Sequence, residues 1–366
     1  MNKNIFLIIA LSSAWIWAST EVCGVLRAGT TFKLSKSPYL VTGDIWVPVN
    51  SRLRIEAGVE VIMGAKGKCE AKFSGVDWAD SNYVTLHIDG GFFAQGTSEK
   101  PIVFRSPKKG ELWDGIRIKQ GNRIRTHIEH IVVEDAHRGL LVRNSSFVLT
   151  SSVFRDNNVG IYLHSSADLG IFNSVFIKNT SAGIFQKNSS PSIAANFFIK
   201  NVQNGIWSDS RAGLVIQNNL FFENGMEDCY HCPADLGVLT KKSVGGDSVD
   251  VWGNLFQDPV FVGTSKEAEF IKKDIYVDTP IEKVKDSVLA IQILKARERY
   301  QNLGIKDPKE YNPAGDGPFR LSKYSPAIKA GPDHFFFYNR KGEVSDIGLF
   351  GAYPQRSENS VPTLAN

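Results

Sequence analysis

Apolar and polar positions alternate in short runs through most of this chain. In Gly160-Ile-Tyr-Leu-His164, Ile161 and Leu163 fall on one face of an extended segment, and Tyr162 and His164 on the other. Leu53-Arg-Ile-Glu-Ala-Gly-Val-Glu-Val-Ile-Met63 alternates in the same way. β-Branched and aromatic residues fill the runs, while Gly, Pro, Asn and Ser separate them, as expected for short strands closed by turns. The runs also repeat. Ser152-Val-Phe-Arg-Asp-Asn157, Ser174-Val-Phe-Ile-Lys-Asn179, Asn196-Phe-Phe-Ile-Lys-Asn201 and Asn219-Leu-Phe-Phe-Glu-Asn224 are one phrase written four times, with its last Asn recurring at steps of 22, 22 and 23 residues. A Gly-Ile pair follows at 160, 183 and 205.

A unit of this length is too short for two packed helices, and its period of two argues for strands. Stacked units of about three short strands make a parallel β-helix, with coils ~4.8 Å apart. The repeated Asn suits such a stack. It tolerates left-handed turns, and amides in register can hydrogen-bond to the coils above and below. The richness in Phe, Ile and Val excludes a disordered repeat.

The chain divides by character into a leader at 1–18, β-helix coils at 19–261, a helical insertion at 262–312, returning strands that close the solenoid at 313–353, and a tail at 354–366. Lys66 to Asn82 reads as an insertion within one coil, and Gly225 to Gly246 as a break in the period. In the helical insertion, Ile281, Val284, Val288, Ile291, Ile293 and Leu294 lie on or near one side, predicting an amphipathic helix that packs on or caps the solenoid.

Composition adds the compartment. The start is short and positive, Ile5 to Trp17 is mostly apolar, and the chain turns polar after Ala18, which predicts a secretory signal peptide cut there. No other segment is long and apolar enough to span a membrane. The expected location is secreted, periplasmic or cell-surface. The four cysteines, Cys23, Cys69, Cys229 and Cys232, are an even set in an exported chain and predict disulfides, with Cys229–Cys232 favoured by proximity and Cys23 in reach of Cys69. Cys229-Tyr-His-Cys232 also has the form of half a zinc site, but a second ligand pair is missing, so no metal is expected. A net charge of +4 on 366 residues, with scattered basic residues, gives no footing for nucleic acid.

Several strings are similar to known proteins. Leu53-Arg-Ile-Glu-Ala-Gly-Val-Glu-Val61, Gly90-Gly-Phe-Phe-Ala-Gln-Gly-Thr97, Pro101-Ile-Val-Phe104 and Trp113-Asp-Gly-Ile116 resemble the opening coils of exported bacterial right-handed parallel β-helix proteins. Ser325-Pro-Ala-Ile-Lys-Ala-Gly331 and Asp346-Ile-Gly-Leu-Phe-Gly351 resemble their closing motif. The resemblance implies an all-β, single-stranded right-handed parallel β-helix with a C-terminal helical insertion. The wider group includes pectate, alginate and chondroitin lyases, polygalacturonases and many proteins without known activity. Arg117-Ile-Lys119 matches the Arg-x-Lys of polygalacturonases, yet the Asp-Asp pair and Gly-His-Gly of that family are missing, as is the Trp-Ile-Asp-His of pectate lyases.

Aligning coils on the Gly-Ile register places Leu141, Tyr162, Phe185 and Trp207 in one outward column and Arg143, His164, Lys187 and Asp209 in the next. Tyr162, Phe185 and Trp207 would offer a platform on which sugar rings stack, or simply stabilise the sheet. If the chain is an enzyme, His164 is the candidate base, with Arg143 or Lys187 holding a uronate carboxylate and stabilising the charge left by proton abstraction. That is polysaccharide lyase chemistry, with Ca2+ as its possible cofactor; otherwise no cofactor is expected. A glycoside hydrolase needs two carboxyl groups across the bond, and Asp209 alone stands in this column. Asp135 and Asp156 read as turn caps. His127, His130 and His137 read as a turn cluster with Glu129 and Glu134. The favoured expectation is a non-catalytic exported protein that binds polysaccharide or serves as a surface scaffold. The alternatives are the lyase and an adhesion or assembly protein that holds a partner through the helix.

Overall fold

The computed structural model describes residues 19–65, 67, 69, 83–119, 126–165, 169–210, 213–267, 269, 280–281, 284, 287–305, 319–332 and 345–349. The leader, the tail and most of the 66–82 insertion lie outside the described residues.

The strands wind into a right-handed parallel β-helix. One face stacks Ile131–Glu134, Val153–Arg155, Val175–Ile177, Phe197–Ile199 and Leu220–Phe222 in parallel register. A second stacks Ala136–Arg143, Val159–His164, Ala182–Lys187, Asn204–Ser208 and Glu227–Tyr230. The third is an eight-stranded sheet from Thr30–Phe32 to Val215–Gln217. Glu227–Tyr230 pairs with Asn204–Trp207, so the period continues one strand into the segment expected to break it.

Phe154, Phe176, Phe198, Phe221 and Phe256 form an inner stack with centroid spacings of 5.4, 5.0, 5.0 and 5.3 Å. All but Phe256 are fully buried. The Gly-Ile pair belongs to this stack. A Cβ on Gly160 would lie 2.4 Å from the Gly183 carbonyl and 3.1 Å from the Phe176 ring. Only glycine lets one coil sit this close to the next.

The repeated Asn residues point inward and form a ladder. Asn157 Nδ2 donates to Asn179 Oδ1 (3.1 Å), Asn179 to Asn201 (2.9 Å), and Asn201 to Asn224 (2.9 Å). Each Nδ2 also donates to a carbonyl of the coil before, such as Phe154 O for Asn179 (3.1 Å). A second ladder runs from Asn196 to Asn219 to Asn254. A ladder of donors needs a terminal acceptor, and a carboxylate is the side chain with acceptors only. Asn224 Nδ2 ends on Asp228 (2.8 Å), and Asn254 Nδ2 on Asp250 (3.0 Å).

The left-handed conformation expected of these Asn residues belongs instead to the residue before each one. Asp156, Lys178, Lys200 and Glu223 have φ of 56, 56, 53 and 52°. That conformation costs a non-glycine residue about 1–2 kcal/mol. The corner is nonetheless fixed, because the next side chain must turn inward to meet its ladder.

Burial pushes the Asp228 carboxyl above its ordinary 3.8, and the hydrogen bond from Asn224 pulls it partly back. An acid with a raised folded pKa binds its proton more tightly when folded. Its stabilising contribution is therefore complete below 3.8 and is lost as pH rises through the folded value. Denaturant unfolding of the wild type and Asp228→Asn across this range should show the wild type losing ground to the variant as pH rises, then running parallel to it. A constant difference at all pH values would contradict the assignment.

The C-terminal segment lies over the first face. Phe261, Tyr300, Leu303, Ile305, Leu321, Ile328 and Ile347 pack against the outward Val153, Val175, Phe197, Leu220 and Leu255. The helix spans Ser287–Asn302. Its buried side is Ile293 and Tyr300 with partly buried Ala296, whereas Val288, Ile291 and Leu294 are exposed. The expected apolar side therefore divides: Ile293 packs inward, while Val288, Ile291 and Leu294 face out. The two sides are only a turn fraction apart, and the large Tyr300 anchors the helix. The described residues from 319 on lie in turns with one isolated bridge, Phe261 to Leu321, rather than in the strands expected.

Candidate functional site

The second face carries the aromatic column. Alternation sends Ile161, Ile184 and Ile206 inward and the following residue outward. The register pairs Leu141 with Tyr162, Tyr162 with Phe185, Phe185 with Trp207, and Trp207 with Tyr230. The rings stack nearly parallel, with centroids 4.8 Å apart for Tyr162–Phe185 and 4.0 Å for Phe185–Trp207. The stack runs on through Tyr230 (5.8 Å) to His231 (4.1 Å). Tyr230 was missed in the sequence because the Gly225–Gly246 stretch looked aperiodic; its step of 23 from Trp207 was the available signal. At the other end the Arg138 guanidinium sits 5.2 Å from the Tyr162 ring centre, a cation–π contact.

Tyr162, Phe185 and Trp207 are half-buried, each stacked on its neighbour. None belongs to the cluster beneath the C-terminal segment, which occupies the other face. Tyr162 to Tyr230 spans ~14 Å at the coil repeat.

Arg143, His164 and Lys187 follow one another in register beside the rings. Asp209 stands in the next coil, but its carboxylate receives the Asn188 backbone N–H (3.0 and 3.1 Å), the geometry of a turn cap.

The other expected clusters separate. His127 Nδ1 lies 3.1 Å from Gln95 Nε2, and its Nε2 lies 3.3 Å from Glu129; His130 lies 3.7 Å from the same carboxylate. Burial lowers the His130 pKa, against the raising effect of Glu129 and Glu99. His137 instead meets Tyr83 edge-on. Asp135 accepts the Gly110 N–H (2.9 Å), as a turn cap should. Burial, then nearby Glu134 and Asp156, raise its pKa against the pull of that hydrogen bond. It lines a cleft of about 440 Å3 with Asp156 and an Arg155–Glu134 ion pair. Lys109 lies 3.8 Å from Asp156, so the cleft is largely charge-compensated.

The cysteines form both expected pairs, Cys23–Cys69 and Cys229–Cys232. The first ties the opening strand to residue 69, at the edge of the insertion. The second closes the loop that carries His231.

Residues 81–276 match a family described as "Periplasmic copper-binding protein (NosD)". The match covers more than half of the chain and runs through the stacked coils. The chain belongs to the NosD family. No curated protein and no solved structure matches it. A periplasmic family agrees with an exported chain held by disulfides, and no helix among the described residues is long and apolar enough to cross a membrane.

The NosD description raises copper, and the donor set tests it. Among the described residues no three His, Cys, Asp or Glu side chains converge on a possible metal. All four cysteines are in disulfides, so no thiolate is available. Met63 is buried in the core, and Met226 is 73% exposed. The described residues, with both disulfides formed, do not fit a resident copper ion.

Proposed function

We propose that this NosD-family chain is a non-catalytic periplasmic protein whose outer aromatic column binds polysaccharide. The observation that supports this reading most is the half-buried stack from Tyr162 to Tyr230, flanked by Arg143, His164 and Lys187, on a different face from the one against which the described C-terminal residues pack. Such a stack presents aromatic rings at the coil repeat beside the cations Arg143 and Lys187, two coils apart, which suits an extended chain of sugars carrying carboxylates. The carboxylate expected in the column of His164, that of Asp209, accepts the Asn188 backbone N–H as a turn cap, which supports the non-catalytic reading. Copper has no part in this reading, since no set of possible ligands converges among the described residues.

The test is retention on a panel of uronate and neutral glycans. Wild-type binding should weaken about tenfold in Trp207→Ala, a loss of about 1.4 kcal/mol, with no unsaturated products. Appearance of unsaturated products that vanish in His164→Ala would replace this reading with the lyase. Failure to bind any glycan would favour the adhesion or assembly reading, for which the exposed Val288, Ile291 and Leu294 on the helix are the supporting feature.

A further inference from the structure

The polar row beside the rings extends one coil beyond Arg143 and is staggered against them. The register pairs Lys119 with Arg143, Arg143 with His164, and His164 with Lys187, one residue per coil. The aromatic column starts two coils after Lys119. Arg117 and Leu141 stand beside Lys119 and Arg143, and Tyr162, Phe185, Trp207 and Tyr230 follow in the next coils. Arg117 is buried in an ion pair with Asp114. One end of this face is therefore cationic, the other aromatic, and the two overlap at Tyr162–His164 and Phe185–Lys187.

Lys119 and Lys187 are exposed, and Arg143 is half-buried. Among the described residues no carboxylate forms an ion pair with any of the three. On the first face, by contrast, Arg105 pairs with Glu60 and Arg155 with Glu134. Arg143 Nε is a buried donor that meets no acceptor among the described residues. The acids at the ends of the row are engaged elsewhere. Asp89, which follows the Ile88 paired with Ile118, accepts Trp46 Nε1 (2.7 Å), and Asp209 accepts the Asn188 N–H (3.0 Å). Like charges directly opposite on neighbouring strands destabilise a sheet, so stacking Lys119 on Arg143 brings the fold no stability of its own. A ligand with acidic groups relieves that repulsion and supplies the acceptor Arg143 lacks.

We propose that the row Lys119–Arg143–His164–Lys187 selects acidic glycans. It takes carboxylate or sulfate groups carried along a sugar chain that lies parallel to the solenoid axis, over ~14 Å, and the chain runs on across Phe185, Trp207 and Tyr230. The inference rests on the glycan-binding reading and adds to it which glycans bind, with Lys119 as a determinant of the choice. The rings attract any sugar, whereas the cations attract only acidic groups and do so less as salt rises.

The test uses the full chain and two pairs of probes that differ by their acidic groups: polygalacturonate against its fully methyl-esterified form, and dextran sulfate against dextran. The acidic member of at least one pair should bind about tenfold more tightly at low salt, as expected for three exposed ion pairs, and the advantage should shrink as salt is raised. The pair that shows it identifies the acidic group. Lys119→Gln should weaken binding of that glycan about threefold and leave binding of its uncharged partner unchanged, because Lys119 stands two coils from the first ring. Lys100→Gln, which removes an exposed lysine between the strands Gly91–Gln95 and Ile102–Arg105, should alter neither. Trp207→Ala should weaken both members of the pair. Equal affinity within both pairs, or equal losses in Lys119→Gln and Lys100→Gln, would overturn the selection by charge while leaving binding by the rings in place. A wild type that retains none of the four probes would overturn both.

Discussion

Replacing Asn179 with alanine should destabilise the solenoid by about 3–5 kcal/mol. Asn179 Oδ1 accepts both the backbone N–H (3.2 Å) and Nδ2 (3.1 Å) of Asn157, and its own Nδ2 donates to Phe154 O (3.1 Å). Alanine removes a partner from all three groups at a site with no solvent access. A buried polar group left unpaired costs about 1–3 kcal/mol, and neighbouring losses are not simply additive. The control is Asn158→Ala one position along. Asn158 is exposed, and its side chain accepts a surface hydrogen bond from Thr180 Oγ1 (3.1 Å), so its loss should stay within about 0.5 kcal/mol. Chemical unfolding followed by circular dichroism separates the two. Equal, small effects would mean that the ladder fixes register without stabilising the fold.

Much of this architecture was legible because the solenoid writes its geometry at a fixed step. Residues 22 or 23 apart stack one above the next, so the phrase ending in Asn157, Asn179, Asn201 and Asn224 announced both the coil and its amide ladder. The same step aligned Tyr162, Phe185 and Trp207. What stayed hidden was local. Asn was assigned the left-handed corner by propensity, yet an Asn in the ladder must face the interior, and the corner passes to Asp156, Lys178 or Lys200. Asp228 and Asp250 gave no sign in the sequence that they end the ladders, since each hydrogen-bonds to an Asn only four residues away in the chain but at the end of a three-dimensional stack.

The helix shows a different limit. Pattern placed Ile293 with Val288, Ile291 and Leu294 on one apolar side, and gave no reason to shift the packed stripe to Ile293, Ala296 and Tyr300. Tertiary partners decided between two adjacent stripes. The polar column illustrates the same point at the candidate site. Register brought Arg143, His164 and Lys187 together, whereas Asp209 sits beyond the last strand residue, where the Asn188 N–H competes for its carboxylate.

The inner and outer aromatic columns should respond very differently to truncation. Phe176 is fully buried between Phe154 and Phe198, at 5.4 and 5.0 Å. Phe176→Ala removes its transfer free energy and leaves a cavity that the backbone of neighbouring coils prevents from collapsing, so the expected cost is about 3–5 kcal/mol. Phe185 is stacked as closely, at 4.8 and 4.0 Å, but stands half-exposed on the outer surface. Phe185→Ala gives up pair interactions of about 0.5–1.5 kcal/mol and part of its buried area, with no closed cavity left behind. Thermal and denaturant unfolding of the two variants should therefore differ by about 2 kcal/mol or more, while glycan retention should fall in Phe185→Ala alone once both are measured folded. A loss in Phe185→Ala as large as that in Phe176→Ala would show that the outer column holds the sheet together, and would remove the physical basis for treating it as a binding surface.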